Sequence, residues 1–267
     1  MGEWTLNPGV IASLLVAEVL YVRALRVLGA RGVAVPRLQV LAWHGGLALW
    51  IAGLLSPIDA GGHEGLTLHM VQHLLIADLA APLFLLGIRN PVLVFLLPRP
   101  LLVAVARRPR LRGAFRLARR PLVAIGIYAL VLYLWHFPFL FETSVQSDLV
   151  HAVQHGSFVG IGVLVWWSAL EPKRRRLRGE LWKIPHIIAA RLLGMFLGMA
   201  FVVTRVPLYT DVYGSGERAL GLSAVADQQT AGGIMMITDG LIMVGALTFF
   251  FWRAAQQADR DEAAAAT

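Results

Sequence analysis

The chain has no cysteine. Disulfides, thiolate zinc sites and iron–sulfur clusters are excluded, so any metal must be held by histidine, methionine, carboxylate or carbonyl groups. Charge is scarce as well: Asp, Glu, Lys and Arg make up 15% of the 267 residues, and only 16 of these are acidic. There is no Gly-rich phosphate loop and no serine on a nucleophile elbow with histidine and aspartate partners, which argues against nucleotide binding and serine-dependent acyl transfer. The first residues, Met1 to Pro8, lack a basic n-region, and no cleavable signal peptide is expected.

Apolar residues are plentiful. They form 57% of the chain, with a mean hydropathy of +0.66, the composition of a polytopic membrane protein. Lys and Arg outnumber Asp and Glu by 24 to 16. Because the basic residues lie between apolar runs, they point to a lipid membrane and not to nucleic acid. A helix needs about 20 apolar residues to cross the hydrocarbon core. Seven segments reach that length: Pro8–Leu28, Arg37–Ser56, Leu66–Gly87, Pro121–Phe141, Leu149–Leu170, His186–Arg205 and Gln229–Trp252. The expected fold is therefore all-α, a polytopic seven-helix transmembrane bundle over residues 1–252. Prolines at 91, 98 and 100 interrupt the next most apolar stretch, and residues 91–120 read as a basic amphipathic segment on the lipid surface.

Basic residues alternate between loops. Arg23, Arg26, Arg31 and Arg37 flank the first connection, a basic run from Arg89 to Arg120 fills the third, and Lys173, Arg174, Arg175, Arg176, Arg178 and Lys183 fill the fifth. The other loops hold Asp59, Glu64, Glu142, Asp148, Asp211, Glu217 and Asp227, with only Arg205 and Arg218 for basic residues. The positive-inside rule then predicts an outside N-terminus and a cytoplasmic C-terminus, with residues 253–267 a disordered cytoplasmic tail.

The pattern His-x-Val-Gln-His occurs twice, at His69-Met70-Val71-Gln72-His73 and His151-Ala152-Val153-Gln154-His155. Residues four apart share a helix face, so each copy aims two imidazoles the same way. At about 1.5 Å per residue, both pairs fall in the outer third of their segments, and Trp135-His136 reaches the same level near the outer end of the fourth. His63 lies in the loop before the third. Polar groups in a bilayer need partners, and a metal ion is one that both pairs can share. A zincin protease is excluded, since Met70 and Ala152 occupy the position where its His-Glu-x-x-His motif places the glutamate that activates water. Bis-histidine haem requires one ligand from each of two helices and would leave half of the pairs idle, whereas a bare ion uses all four. Gln72 and Gln154 read either as orienting groups for the rings or as ties between helices. Met70 and Met235 lie within reach, and soft thioethers favour Cu(I). His186 reads as an interfacial anchor and Asp227 as a cap on the last helix. Glu18, His44, Asp78 and Asp239 form a deeper polar layer, either an ion or proton route or a structural network.

Several motifs together resemble the membrane-integral cytochrome c oxidase assembly factors called CtaG. They are His69-Met-Val-Gln-His73-Leu-Leu, ending in Ala81-Pro82-Leu-Phe-Leu-Leu-Gly87, then Trp135-His136-Phe-Pro138. They continue with His151-Ala-Val-Gln-His155, Ser157-Phe158, Trp166-Trp167 and Asp227-Gln228-Gln229 with the glycines after it. His44 and Met236 depart from the pattern, the latter standing where tryptophan is usual. The resemblance implies a non-enzymatic protein of the bacterial inner (plasma) membrane that matures a haem–copper oxidase and delivers or inserts copper. Its partners would be cytochrome c oxidase subunits and an extracytoplasmic copper carrier. It puts His69, His73, His136, His151 and His155 in the functional layer. A haem-binding membrane oxidoreductase and a metal-free assembly scaffold remain as alternatives.

Overall fold

The computed structural model describes residues 4–170, 181–216 and 218–265. The basic residues Lys173, Arg174, Arg175, Arg176 and Arg178, and Glu217, lie outside them. The described residues are helical, with no strand element among them.

Among the described residues, seven helices of 15 residues or more stand where the apolar segments predict them. They are α1 (Pro8–Gly29), α2 (Arg37–Leu54), α3 (Leu66–Gly87), α4 (Pro121–Trp135), α5 (Asp148–Leu170), α6 (Lys183–Val203) and α7 (Ala224–Ala265). Four carry a stretch long and apolar enough to cross a membrane: α3, α5, α6 and the Ala224–Arg260 part of α7. A fifth follows if α4 is counted with Pro109–Ala118, which meets it at an 83° bend. α1 and α2 are not among them; the 18-residue α2 carries Arg37, Gln39 and His44.

Local chemistry sets the ends. Asn7 caps α1 by accepting from the Gly9 and Val10 amides at 2.9 and 3.3 Å, with Pro8 pre-set for the first turn. The fourth helix is shorter than its apolar run. It stops at Trp135 because Phe137, preceding Pro138, is pushed to extended backbone, and a separate helix then spans Pro138–Gln146. The amphipathic stretch is likewise divided, into Val92–Phe95, Arg99–Ala106 and Pro109–Ala118. At the other end α7 continues to Ala265. The stretch read as a disordered tail is thus helical to that point, since its Ala, Gln, Arg and Glu residues are good helix formers.

Two apolar cores organise the packing. The larger joins α3 to α7 through residues such as Met70, Phe158, Trp166, Leu197 and Phe250. The smaller joins α1 and α2, where Tyr21 stacks on Trp43 with ring centroids 4.3 Å apart. Small residues allow backbones to meet. A Cβ on Gly198 of α6 would lie 2.7 Å from the Gly232 carbonyl oxygen of α7, so these helices touch through glycine. Residues Leu74–Leu79 of α3 form a π-helical turn. The carbonyls it loosens find neighbours: Trp50 donates to Ile76 O at 3.2 Å, and Gly162 of α5 packs on that of Ala77. Such turns re-aim side chains, here directly beyond His73.

Candidate metal centre

Helices α3 and α5 bring the two histidine pairs together. Ring centroids lie 4.5 Å apart for His69 and His73, 4.1 Å for His151 and His155, 5.2 Å for His69 and His151, and 5.1 Å for His73 and His155. One nitrogen from each of His69, His73 and His151 falls within 4.8 Å of the others. A tetrahedral ion about 2.0–2.1 Å from each nitrogen holds its ligand atoms roughly 3.4 Å apart. Those three rings therefore reach one ion by movements of about an ångström, and His155 adjoins them.

Imidazole nitrogens are left over to do this. His69 Nε2, both nitrogens of His73, His151 Nε2 and His155 Nε2 are buried with no protein partner, although buried polar groups are otherwise nearly always bonded. On His69 the other nitrogen is engaged: Nδ1 lies 3.3 Å from Gly62 O and 3.2 Å from the Tyr213 hydroxyl. Tyr213 lies in the loop between α6 and α7. Burial, and then the charge of Asp227, hold its hydroxyl well above the ordinary tyrosine range, so it stays protonated. Its single proton goes to Gly62 O at 2.9 Å. That arrangement assigns the His69 proton to Nδ1 and leaves the Nε2 lone pair for a ligand, the pattern of a metal-ligating histidine with an outer partner. Phe141 and Phe158 wall the rings at 4.7 and 4.6 Å. His63, exposed, closes the outer edge 5.3 Å from His151.

The donor set is all nitrogen, which suits copper, zinc, iron or nickel.

A family model described as cytochrome c oxidase caa3 assembly factor (Caa3_CtaG) matches residues 19–257. The chain belongs to that family. It is also 24% identical over 242 residues to two uncharacterised proteins, one from Mycobacterium bovis and one from Mycobacterium tuberculosis. The alignment covers 86% of this chain but only 36% of each relative's length. No solved structure gives a significant match.

The fifth histidine of the layer stands apart from the four. His136 is the residue after α4. Its Nδ1 is bonded to Leu132 O at 2.7 Å, and its carbonyl accepts from Tyr209 Oη at 2.7 Å. Its Nε2 has no partner. Between His136 and His73 lies a cavity of about 30 Å³ lined also by Met70, Met235, Asp78 and Tyr128.

Other expectations are decided or corrected by the structure. Gln72 orients no ring; it ties helices, donating to Gly53 O at 2.9 Å and Asp59 Oδ1 at 2.6 Å. Gln154 is buried with both side-chain polar atoms unpartnered. His186 is 3% exposed, with Nε2 3.0 Å from Val165 O, so it packs inside the bundle. Met236 turns toward α6 at Gly198. Asp227 does not cap its own helix, a task that falls to Ser223, which accepts from the Ala226 amide at 3.2 Å. Instead its carboxylate accepts from the Leu66 and Thr67 amides at 2.8 and 2.9 Å, with Arg218 at 3.4 Å. It caps α3, the helix that carries His69 and His73, and its oxygens are committed there.

The deeper layer is two networks. Glu18 bonds His44 at 3.3 Å and accepts from Trp43 Nε1 at 2.8 Å, on the partly exposed α1–α2 face. Asp78 and Asp239 both grip Arg191, Asp239 at 2.7 Å, with Tyr128 3.4 Å from the guanidinium. Arg191 is fully buried, and the sequence reading passed over it. A lone arginine inside an apolar run was the available signal, because such a charge needs carboxylates at its own depth. Tyr213 had no such signal, as its loop meets His69 across 144 positions of chain.

Proposed function

We propose that this protein is an assembly factor for a haem–copper cytochrome c oxidase, and that it binds copper through His69, His73, His151 and His155 with His136 beside them. The convergence of unpartnered imidazole nitrogens from α3 and α5 carries the reading. The caa3 family supports the association with an oxidase. A shallow all-nitrogen site suits a cargo ion that must be released, where a thiolate cage would hold it. The protein acts as a carrier, not a catalyst. It receives copper from an extracytoplasmic carrier and passes it to an oxidase subunit.

The proposed setting is the bacterial plasma membrane, crossed seven times by α1 to α7, with the N-terminus and the histidine layer outside and the C-terminus in the cytoplasm. The alternation of basic and acidic loops supports that orientation. The helices of residues 92–118 would lie along the cytoplasmic lipid surface, and the 83° bend between Pro109–Ala118 and α4 supports this for the last of them.

The test is metal analysis with an optical spectrum on detergent-purified protein, wild type beside His73→Ala/His155→Ala. Copper near one ion or more per wild-type chain and its loss in the variant are expected. A Soret band would instead assign haem. No metal in either protein would leave a scaffold without cargo.

A further inference from the structure

We infer that the cavity between His73 and His136 is a second, thioether-containing site for a monovalent soft cation, Cu(I), set directly behind the four-histidine cluster. The inference rests on the copper reading and adds an oxidation state and a path.

Met70, Met235, His73 and His136 all line the cavity, so two thioethers and two imidazoles border it. All four residues are more than nine-tenths buried. His136 has one nitrogen tied to Leu132 O and the other, Nε2, without a protein partner, and neither nitrogen of His73 is bonded. The cavity of about 30 Å³ has room for a water-sized particle but for nothing as large as an organic cofactor. Thioethers are soft ligands that select Cu(I) over harder ions. Asp78 lines the cavity and shares Arg191 with Asp239.

The helix geometry joins the two sites. On α3, His69 and His73 are four apart and Met70 and His73 three apart, so His73 stands between the face of the cluster and the face of the cavity. A Cu(I) ion passes from one to the other by ligand exchange about His73, with its oxidation state unchanged. His136 belongs to this inner site, which accounts for its separation from the other four rings.

Purified full-length protein in nanodiscs, titrated anaerobically with Cu(I), is expected to bind two ions per chain, with both nitrogen and sulfur neighbours in X-ray absorption. Met70→Leu/Met235→Leu, which nearly conserves side-chain volume, should bind one ion and lose the sulfur signal. His151→Ala/His155→Ala should lose an ion and keep the sulfur signal. Copper without sulfur neighbours in the wild type overturns the inner site and leaves the histidine cluster standing, and this spectrum decides even if a variant fails to fold. Wild-type protein that binds no Cu(I) at all overturns both.

Discussion

Single side chains carry the strongest consequences. The Tyr213 hydroxyl fixes the His69 ring through Gly62, so Tyr213→Phe should keep the fold and weaken metal binding by about 10–100-fold, read by competition with a chromogenic chelator. Protons compete for the same lone pairs. Bound copper should be retained at neutral pH and released in acid, where protons compete for the imidazole nitrogens; release unchanged by acid would argue against imidazole ligands. Asp227 makes a different kind of claim. It satisfies two amides of α3 and faces Arg218, a pair with both side chains fully buried. Asp227→Ala strands that guanidinium and should cost about 3–5 kcal/mol, seen as a large fall in the thermal midpoint of the detergent-solubilised protein. The histidines and their pairing were readable from spacing alone, because i and i+4 share a face on any helix. Asp227 was misread because a capping residue does not announce which helix it caps. Its own α7 was the near choice, and α3, more than 150 positions away, was the true one.

Helices show the same division between local and distant information. Apolar runs and prolines located all seven long helices to within a few residues at most ends, since those signals act inside one turn. What ties the helices together was not legible. Arg191 of α6 binds Asp78 of α3 and Asp239 of α7 in one buried knot, and no periodicity within α6 points to partners on two other helices. Replacing Arg191 alone with Met should leave two buried carboxylates unpaired and abolish folded protein on size exclusion. Adding Asp78→Asn and Asp239→Asn to that change should restore much of it, because removing every charge of a buried network is far milder than removing one. The π turn of α3 was equally invisible. It depends on Trp50 and Gly162 receiving the carbonyls it loosens, and those come from α2 and α5.

For the molecule as a whole, the absence of cysteine offers a direct test of orientation. Single cysteines at Gly32 and at Gly214 should label oppositely with a membrane-impermeant maleimide on intact cells, Gly214→Cys reacting and Gly32→Cys staying silent. Both positions are exposed, so burial does not confound the result. The all-helical character and membrane class followed from composition. The convergence of α3 and α5 into one site did not, since two copies of a motif specify two faces but not that they meet. The length of α7 has its own consequence. At 42 residues it extends about 60 Å, twice the thickness of a hydrocarbon layer. Residues 253–265 alone add about 20 Å of helix, so on the proposed seven-span arrangement a partner gripping the tip would be held at a distance from the bilayer.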